Sequence, residues 1–443
     1  MSNSDSQWSA DGTNIPNIEP HTKTKHLLIE QYVTDLIYTL YGTGKRGVTN
    51  FTIVDGFSGG GIYNDRESHN TWQGSPIRLI NAVREGYLKS QRTYPLDVKF
   101  IFIEKNKEHL KCLKNVAMSQ AGFEELLDEE IHTFTTEFPQ GIGKRIEQCE
   151  FISDEFENKV NYCVFHGEQR KGHSLFFLDP YGYLNVSMES FRKINSLKKS
   201  EIIYTLMARD IERFVIDKNG KERENFYKKL EAEDYFKNLE KLQGFGREAK
   251  FRDESMRLFR EKGNAKKVFT FAMIPTKDKR VLYYLIHICS HLRALEVMKD
   301  SSWLYNNINY QYHYEIYGYG FRTASYYEEH QLDLQLDINQ DSKIACIERL
   351  SNDLDNLVLE NNSEGVTFIE LCNKTMEFNP ATREHYCEYL RLLRYEKQIK
   401  ILRKNKKTNL YKETQSNNLE NCDIITMTNM KQLSLFNIVH IKK

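Results

Sequence analysis

The run Phe51-Thr-Ile-Val-Asp-Gly-Phe-Ser-Gly-Gly-Gly-Ile-Tyr63 constrains the fold of this chain more than any other stretch. Phe51 to Val54 are apolar and partly β-branched, which reads as a buried strand. The strand ends on an acid, Asp55, and breaks at once into glycines. A parallel strand of an open α/β sheet delivers its carboxyl end to a ligand in this way. Gly56, Gly59, Gly60 and Gly61, with Phe57 and Ser58 between them, let the backbone turn sharply and approach a ligand without an intervening Cβ. The plainer alternative is an acid that caps the following helix.

Strands and helices then alternate. Strands are expected at Val98–Ile103, near Ile146–Glu150, at Ser174–Leu178 and at Glu201–Leu206, with a pair at Val268–Ile274 and Val281–Ile286. Helical spacing marks Lys25–Leu40, Ser75–Glu85, Lys107–Met118, Ser187–Leu197 and His291–Lys299. The expected fold is therefore α/β, a Rossmann-like, doubly wound, mostly parallel sheet. Pro275 to Arg280 is too short for a crossover helix, so the last strand should run antiparallel to its neighbour. Residues 217–267 read as a helical insertion. From 343 to 412 come helices at Ile344–Leu359, Thr367–Thr375 and Ala381–Leu393, then a strand at Lys397–Leu402, a turn and Leu410–Lys412, which is the winged-helix order. Thr367 with Glu370 three residues on predicts an N-terminal capping box. Residues 1–20 are expected to be disordered, 21–303 to form the Rossmann-like domain, 304–342 to connect, and 413–443 to form a tail.

Charge and cysteine content narrow the function classes. Lys and Arg balance Asp and Glu over 443 residues, so any attraction to nucleic acid must be local. It is found between Arg383 and Lys412, with ten Lys or Arg against three Glu. Eight cysteines without a Cys-x-x-Cys pair read as free thiols in a reducing compartment, and no metal site is expected. No run of eighteen apolar residues exists, so a cytoplasmic protein with no membrane span is expected.

Four further places carry chemistry. Glu104 ends the second strand, where an acid accepts hydrogen bonds from ribose hydroxyls, and Lys105 follows it. It trails Asp55 by 49 residues, against roughly 20 in a dinucleotide fingerprint. That spacing disfavours a nicotinamide enzyme and suits S-adenosylmethionine. Glu150 and Phe151 stand where a third strand should end, placed for an adenine amino group and ring. Asp179-Pro180 follow a fourth strand, with Tyr181 and Tyr183 beyond. Asp179 and the Pro180 carbonyl can accept hydrogen bonds from an exocyclic amino group, while a tyrosine supplies the stacking face. Lys25 and His26 open a helix and can reach phosphate or a carboxylate. No Gly-Lys-Ser/Thr follows the glycine turn, which weighs against a phosphate-handling NTPase.

Across residues 21 to about 303 these segments resemble the three-Cys-motif partner proteins of bacteria (the TcmP family), a class I methyltransferase-like group. The matching stretches are His21-Thr22 with Lys25-His26, Asp55 to Tyr63, Gly74-Ser-Pro76, Phe102-Ile-Glu-Lys105, Asp179 to Tyr183, and Tyr283 to His287 with Ala294 to Met298. More distantly they are similar to the bacterial 23S ribosomal RNA adenine-N6 methyltransferase, whose Asp-Pro-Pro-Tyr motif is altered here at Tyr181 and Gly182. The resemblance implies S-adenosylmethionine as cofactor, methylation of an amino group on a nucleic acid, and a partner bearing three cysteines of the radical S-adenosylmethionine type. It also implies an alternative, a non-catalytic nucleotide-binding scaffold for that partner.

Overall fold

The computed structural model describes residues 7–43, 47–180, 185–209, 211, 220–242, 244–273, 281–304, 312–315, 320–323, 346–347, 350–351, 354, 365–405 and 407–428. Strand β1 (Asn50–Asp55) lies inside the large sheet, with a parallel neighbour on each side. Around it lie β4 (Leu96–Ile103), β5 (His132–Phe138), β6 (Gly141–Ile152), β7 (His173–Leu178), β8 (Ser200–Leu206), β9 (Lys267–Met273) and β10 (Tyr283–Cys289). A two-stranded ribbon, β2 (Ile62–Asp65) with β3 (Asn70–Gln73), follows the glycine turn. Two further short strands are β11 (Tyr312–Glu315) and β12 (Gly320–Thr323). The large sheet runs β11-β12-β9-β10-β8-β7-β1-β4-β6-β5.

β1 pairs in parallel with β4 on one side and β7 on the other, Asp55 lying level with Phe102 and Phe177. Strand order therefore reverses at β1, which makes the crevice beyond its carboxyl end the ligand position of an open α/β sheet. β10 is antiparallel to both β8 and β9, slotted between them. This is the Rossmann-like, doubly wound sheet with an antiparallel last strand. Every residue of β7, β8 and β10 is buried, as strands covered on both faces require.

One face of the sheet is covered by helices α1 (Pro20–Ile37), α2 (Ser75–Ser90) and α3 (Lys107–Cys112), the other by α4 (Phe156–Arg170) and α5 (Met188–Asn195). The predicted insertion supplies α6 (Lys221–Leu230) and α7 (Gly244–Glu261), which add Phe226 and Phe251 to the second layer. Phe51, Phe100 and Phe102 are fully buried in the first, each worth about 1.5–3 kcal/mol of transfer free energy. At the amino ends of the parallel strands, Glu201 is enclosed with His173, His287 and Tyr32. His173 Nε2 and His287 Nε2 each lie 3.0 Å from a Glu201 oxygen, and the Tyr32 hydroxyl donates to the same carboxylate. Burial alone would raise the Glu201 pKa, but the two histidines bring it below the usual carboxylate range.

After α8 (Leu292–Leu304) comes a smaller unit: β13 (Val366–Thr367), α9 (Phe368–Thr375), α10 (Arg383–Tyr395), β14 (Ile399–Lys404), β15 (Tyr411–Glu413) and β16 (Ile424–Met427), its sheet ordered β13-β16-β14-β15. The Thr367–Glu370 capping box is present. α8 pins this unit to the large sheet. Lys299 is wholly buried, and its ammonium donates to the carbonyls of Met376, Asn379 (2.7 Å) and Ala381 (3.1 Å). Trp303 Nε1–H donates to Pro380 O at 2.9 Å, and Glu377 accepts from the Val268 amide at 2.7 Å and pairs with Arg260.

Three differences from the sequence reading have physical reasons. β6 runs to Ile152 and is held by a hairpin with β5, whose half-buried Thr/Phe alternation carries too little apolar content to stand out. The expected tail from 413 contributes β16, which sits between β13 and β14. The expected disorder of residues 1–20 gives way from Gln7 onward to a turn capped by Asp11, followed by pairing of Pro16 and Ile18 with Asn64. Most of the Ile344–Leu359 helix, and Tyr181 and Tyr183, lie outside the described residues.

Candidate functional site

The carboxyl ends of β1, β4 and β7 bring Asp55, Glu104 and Asp179 to one rim. Asp55 is completely buried. Its Oδ1 accepts from the Phe57 amide at 3.1 Å, while Oδ2 makes no hydrogen bond of normal geometry. Burial pushes the Asp55 carboxyl up to about 7. Ser75, at the start of α2, and the Phe57 amide pull against that rise, and the charges of Asp179 and Glu104 add to it. Tyr63 stands among the three carboxylates; burial first, then Asp179, Asp55 and Glu104, raise its phenol above the usual range.

Glu104 holds the turn together. Its Oε2 accepts from the Gly59 amide at 3.0 Å and its Oε1 from the Asn106 amide at 2.7 Å, with His109 Nδ1 at 3.6 Å. Each oxygen keeps a second lone pair for a hydroxyl. Asp179 Oδ2 receives the Lys25 ammonium at 2.5 Å, and that ammonium also lies 5.1 Å from the Tyr283 ring. His26 accepts from Trp72 Nε1–H at 3.2 Å, and burial, then Lys25 and Arg78, bring its pKa well below ordinary. Burial and the Lys25 charge likewise lower His21 to about 4. Ser58 is buried, its amide on Ile103 O and its hydroxyl on Asp55 O. Phe57 packs at 5.9 Å from Phe156, and Pro180 is buried beside the rim. A cleft of about 200 Å³ between α1, α2 and β7 is lined by His26, Ser75, Arg78 and Phe177 among others. Much of that volume is open to solvent, and the enclosed part has room for about one water molecule.

The glycine turn itself is covered by the chain. The indole of Trp8 lies on it, so that a Cβ at Gly60 would clash with the ring. Trp8 Nε1–H donates to Ile62 O, and the ring packs edge-on to Tyr63 at 5.2 Å and His109 at 4.9 Å. Gly61, at φ +72°, is wedged against Leu113 and Ala117, and Gly56 against Leu178 and Phe156. The absent side chains read from sequence as room for a ligand are thus used here for internal packing. Trp8 and His109 are the residues the sequence reading missed; a lone tryptophan in a polar stretch was the signal available.

Three expected site residues fall elsewhere. Glu150 lies two residues short of the end of β6, bound by Lys99 (2.7 Å) and the Tyr162 hydroxyl. Phe151 packs on Phe102 with Lys114 over its ring. Lys105 is exposed and pairs with Glu155 at 2.6 Å.

Residues 325–406 match the family model of a GMT-like wHTH domain. No curated protein matches the chain. Among solved structures, a Legionella pneumophila protein of the DUF519 family shares 12% identity over 64% of this chain and 93% of its own, with a TM-score of 0.32. The plantazolicin methyltransferase BpumL, solved with SAH, shares 10% identity over 61% of this chain and 88% of its own, with a TM-score of 0.28. Scores that low carry no argument about this site. Among the described residues no helix is long and apolar enough to cross a membrane.

Proposed function

We propose that this chain is an S-adenosylmethionine-dependent methyltransferase acting on an exocyclic amino group of a nucleic acid, adenine N6 being the favoured target. The observation that carries the reading is Asp55, a buried carboxyl at the point where strand order reverses, whose Oδ2 makes no hydrogen bond of normal geometry although the Ser75 hydroxyl stands beside the group. A buried anionic acceptor calls for a cationic donor, and the ammonium of an amino-acid moiety is one. Glu104 would take ribose hydroxyls with its remaining lone pairs.

The cofactor supplies an electrophilic methyl group. The chain's own contribution is orientation and exclusion of water, with no covalent intermediate. Asp179 accepts a hydrogen bond from the acceptor amino group, which draws nitrogen electron density toward transfer; Lys25, now on that carboxylate, is the group that exchanges with the amino donor. The GMT-like wHTH match and the basic segment after Arg383 support a nucleic acid as substrate. The test is calorimetric titration with S-adenosylhomocysteine, followed by labelled S-adenosylmethionine with cellular RNA, DNA and protein fractions. Label entering only protein removes the nucleic-acid target, and no binding removes the cofactor.

The indole over the glycine turn favours a second reading, the scaffold that serves a three-cysteine radical-type partner without transferring methyl groups itself. Cofactor binding without transfer to any fraction would select it.

A further inference from the structure

A winged helix ordinarily lays its second helix in the major groove. In this chain that helix, α10, is committed elsewhere. Arg383 reaches Glu296 at 3.3 Å and Leu419 O at 2.9 Å. Arg394 donates to the carbonyls of Thr414 (3.0 Å) and Ser416 (2.9 Å). His385 packs tilted against Trp303, ring centres 4.7 Å apart, so the start of the helix faces α8. Of the helix's charged side chains Glu384 and Arg391 are exposed, and Arg391 sits 3.8 Å from the half-buried Glu388. All three arginines of the helix are thus engaged by groups of this chain, and a phosphate backbone meets no unengaged arginine there.

The hairpin β14–β15 has the opposite character. Lys400, Lys404, Lys407 and Lys412 are all exposed, and none pairs with a described carboxylate. Register sets Lys404 directly across from Tyr411, which is 49% exposed, with Glu413 on the same face across from Leu402 and Lys412 on the other face across from Arg403; Leu410 beside the turn is 63% exposed. Arg403, by contrast, is tied to Asp423 at 2.6 Å and holds the hairpin from beneath. Unpaired lysines around an exposed aromatic ring are the composition of a surface that neutralises phosphates and offers a stacking face.

We infer that this chain binds nucleic acid through the β14–β15 hairpin, by sequence-independent contacts to the phosphate backbone, and that α10 does not read bases. The inference rests on the nucleic-acid part of the proposed function and is independent of methyl transfer.

The test uses the full chain without cofactor and fluorescence anisotropy on a labelled 20-base-pair DNA duplex, a scrambled duplex and an RNA hairpin. Four phosphate contacts give a log–log salt slope of about −3 to −4, a loss of about 100-fold between 50 and 200 mM salt. The two duplexes bind alike; the RNA arm identifies which nucleic acid is held more tightly. Replacing Lys400, Lys404, Lys407 and Lys412 together by Gln abolishes most of the binding and flattens the slope, while Arg391→Ala changes affinity less than about twofold. These are exposed positions, and unchanged thermal unfolding verifies the fold. The inference is overturned if wild type binds none of the three, if the duplexes differ by tenfold, if the hairpin variant binds like wild type, or if Arg391→Ala is the more damaging change. Since no cofactor enters, failure here leaves the methyl-transfer reading standing, and a failed calorimetric titration leaves this one standing.

Discussion

Trp8→Ala is the most informative single substitution in this chain. The indole holds residues 7–19 over the glycine turn by one hydrogen bond to Ile62 O and two edge-on aromatic contacts, to Tyr63 and His109. A net hydrogen bond contributes about 1 kcal/mol, and each aromatic pair about 0.5–1.5 kcal/mol. Together they give about 2–4 kcal/mol of local stability, a factor of roughly 30 to 700 in the opening equilibrium of the segment. Hydrogen exchange measured by mass spectrometry reads that factor directly. The amides of Gly12 and Ile18, bonded to Ser9 O and Asn64 O, should exchange faster in the variant by that amount. Peptides from β1 and β4 should keep their protection, because none of their backbone pairing involves the segment. S-adenosylhomocysteine, if it needs the face of the turn, should bind the variant more tightly than wild type. Unchanged exchange at Gly12 and Ile18 would refute the claim that the indole retains the segment. Weaker binding by the variant would mean that the ring is a wall of the site and not its cover.

Other expectations follow from the same geometry. Asp55 has a folded pKa near 7, above the ordinary 3.8. Its contribution to stability is therefore present at acid pH and declines as pH rises through about 7, and Asp55→Asn should flatten that decline in pH-dependent thermal melts. A cationic ligand group at Oδ2 favours the carboxylate, so S-adenosylhomocysteine should bind more tightly from pH 6 to pH 8 and release a proton, visible as buffer-dependent calorimetric heat. Glu201 is shifted the other way, so its stabilisation holds above about pH 4.5 and fades below it; Glu201→Gln should remove that acid-sensitive component in urea titrations. Asp179→Asn should leave cofactor affinity within about twofold and lower turnover by about 10²–10⁴, and turnover equal to wild type would reassign the residue to structure. Lys299→Met leaves three buried carbonyls without their donor, and each unsatisfied group costs about 1–3 kcal/mol, so a separate, earlier unfolding transition of the C-terminal unit should appear in calorimetry.

Much of the sheet was legible because buried parallel strands are rich in apolar residues, and β1, β4, β7 and β8 each carry a short apolar core such as Phe100–Ile103 or Leu175–Leu178. The antiparallel β10 followed from loop length alone. β5 and the full length of β6 escaped notice because a half-exposed edge hairpin of Thr, Glu and Gly lacks such a core. Helix α4 was hidden for a related reason, its buried residues being confined to Phe156, Val160, Cys163 and Gly167. The acids at strand tips were readable wherever the strand end was. Asp55, Glu104 and Asp179 lie at the rim, while Glu150 was misplaced because β6 continues two residues past it. What glycine spacing could not convey is which atoms occupy the vacated space. Leu113, Ala117, Phe156 and Trp8 come from distant parts of the chain, and only folding brings them there.

The ammonium of Lys299, caged by three carbonyls, also sets a length scale. A basic hairpin joined by a loose tether could sample many separations from the rim at Asp179. One bolted to α8 through Lys299 and Trp303, and to β9 and α7 through Glu377, holds a single separation. On the proposed function, a polymer gripped at one end of such a caliper would present a nucleotide at a set number of steps from the grip. Position along the strand, counted from a bend or an end, would then select the target where base identity does not.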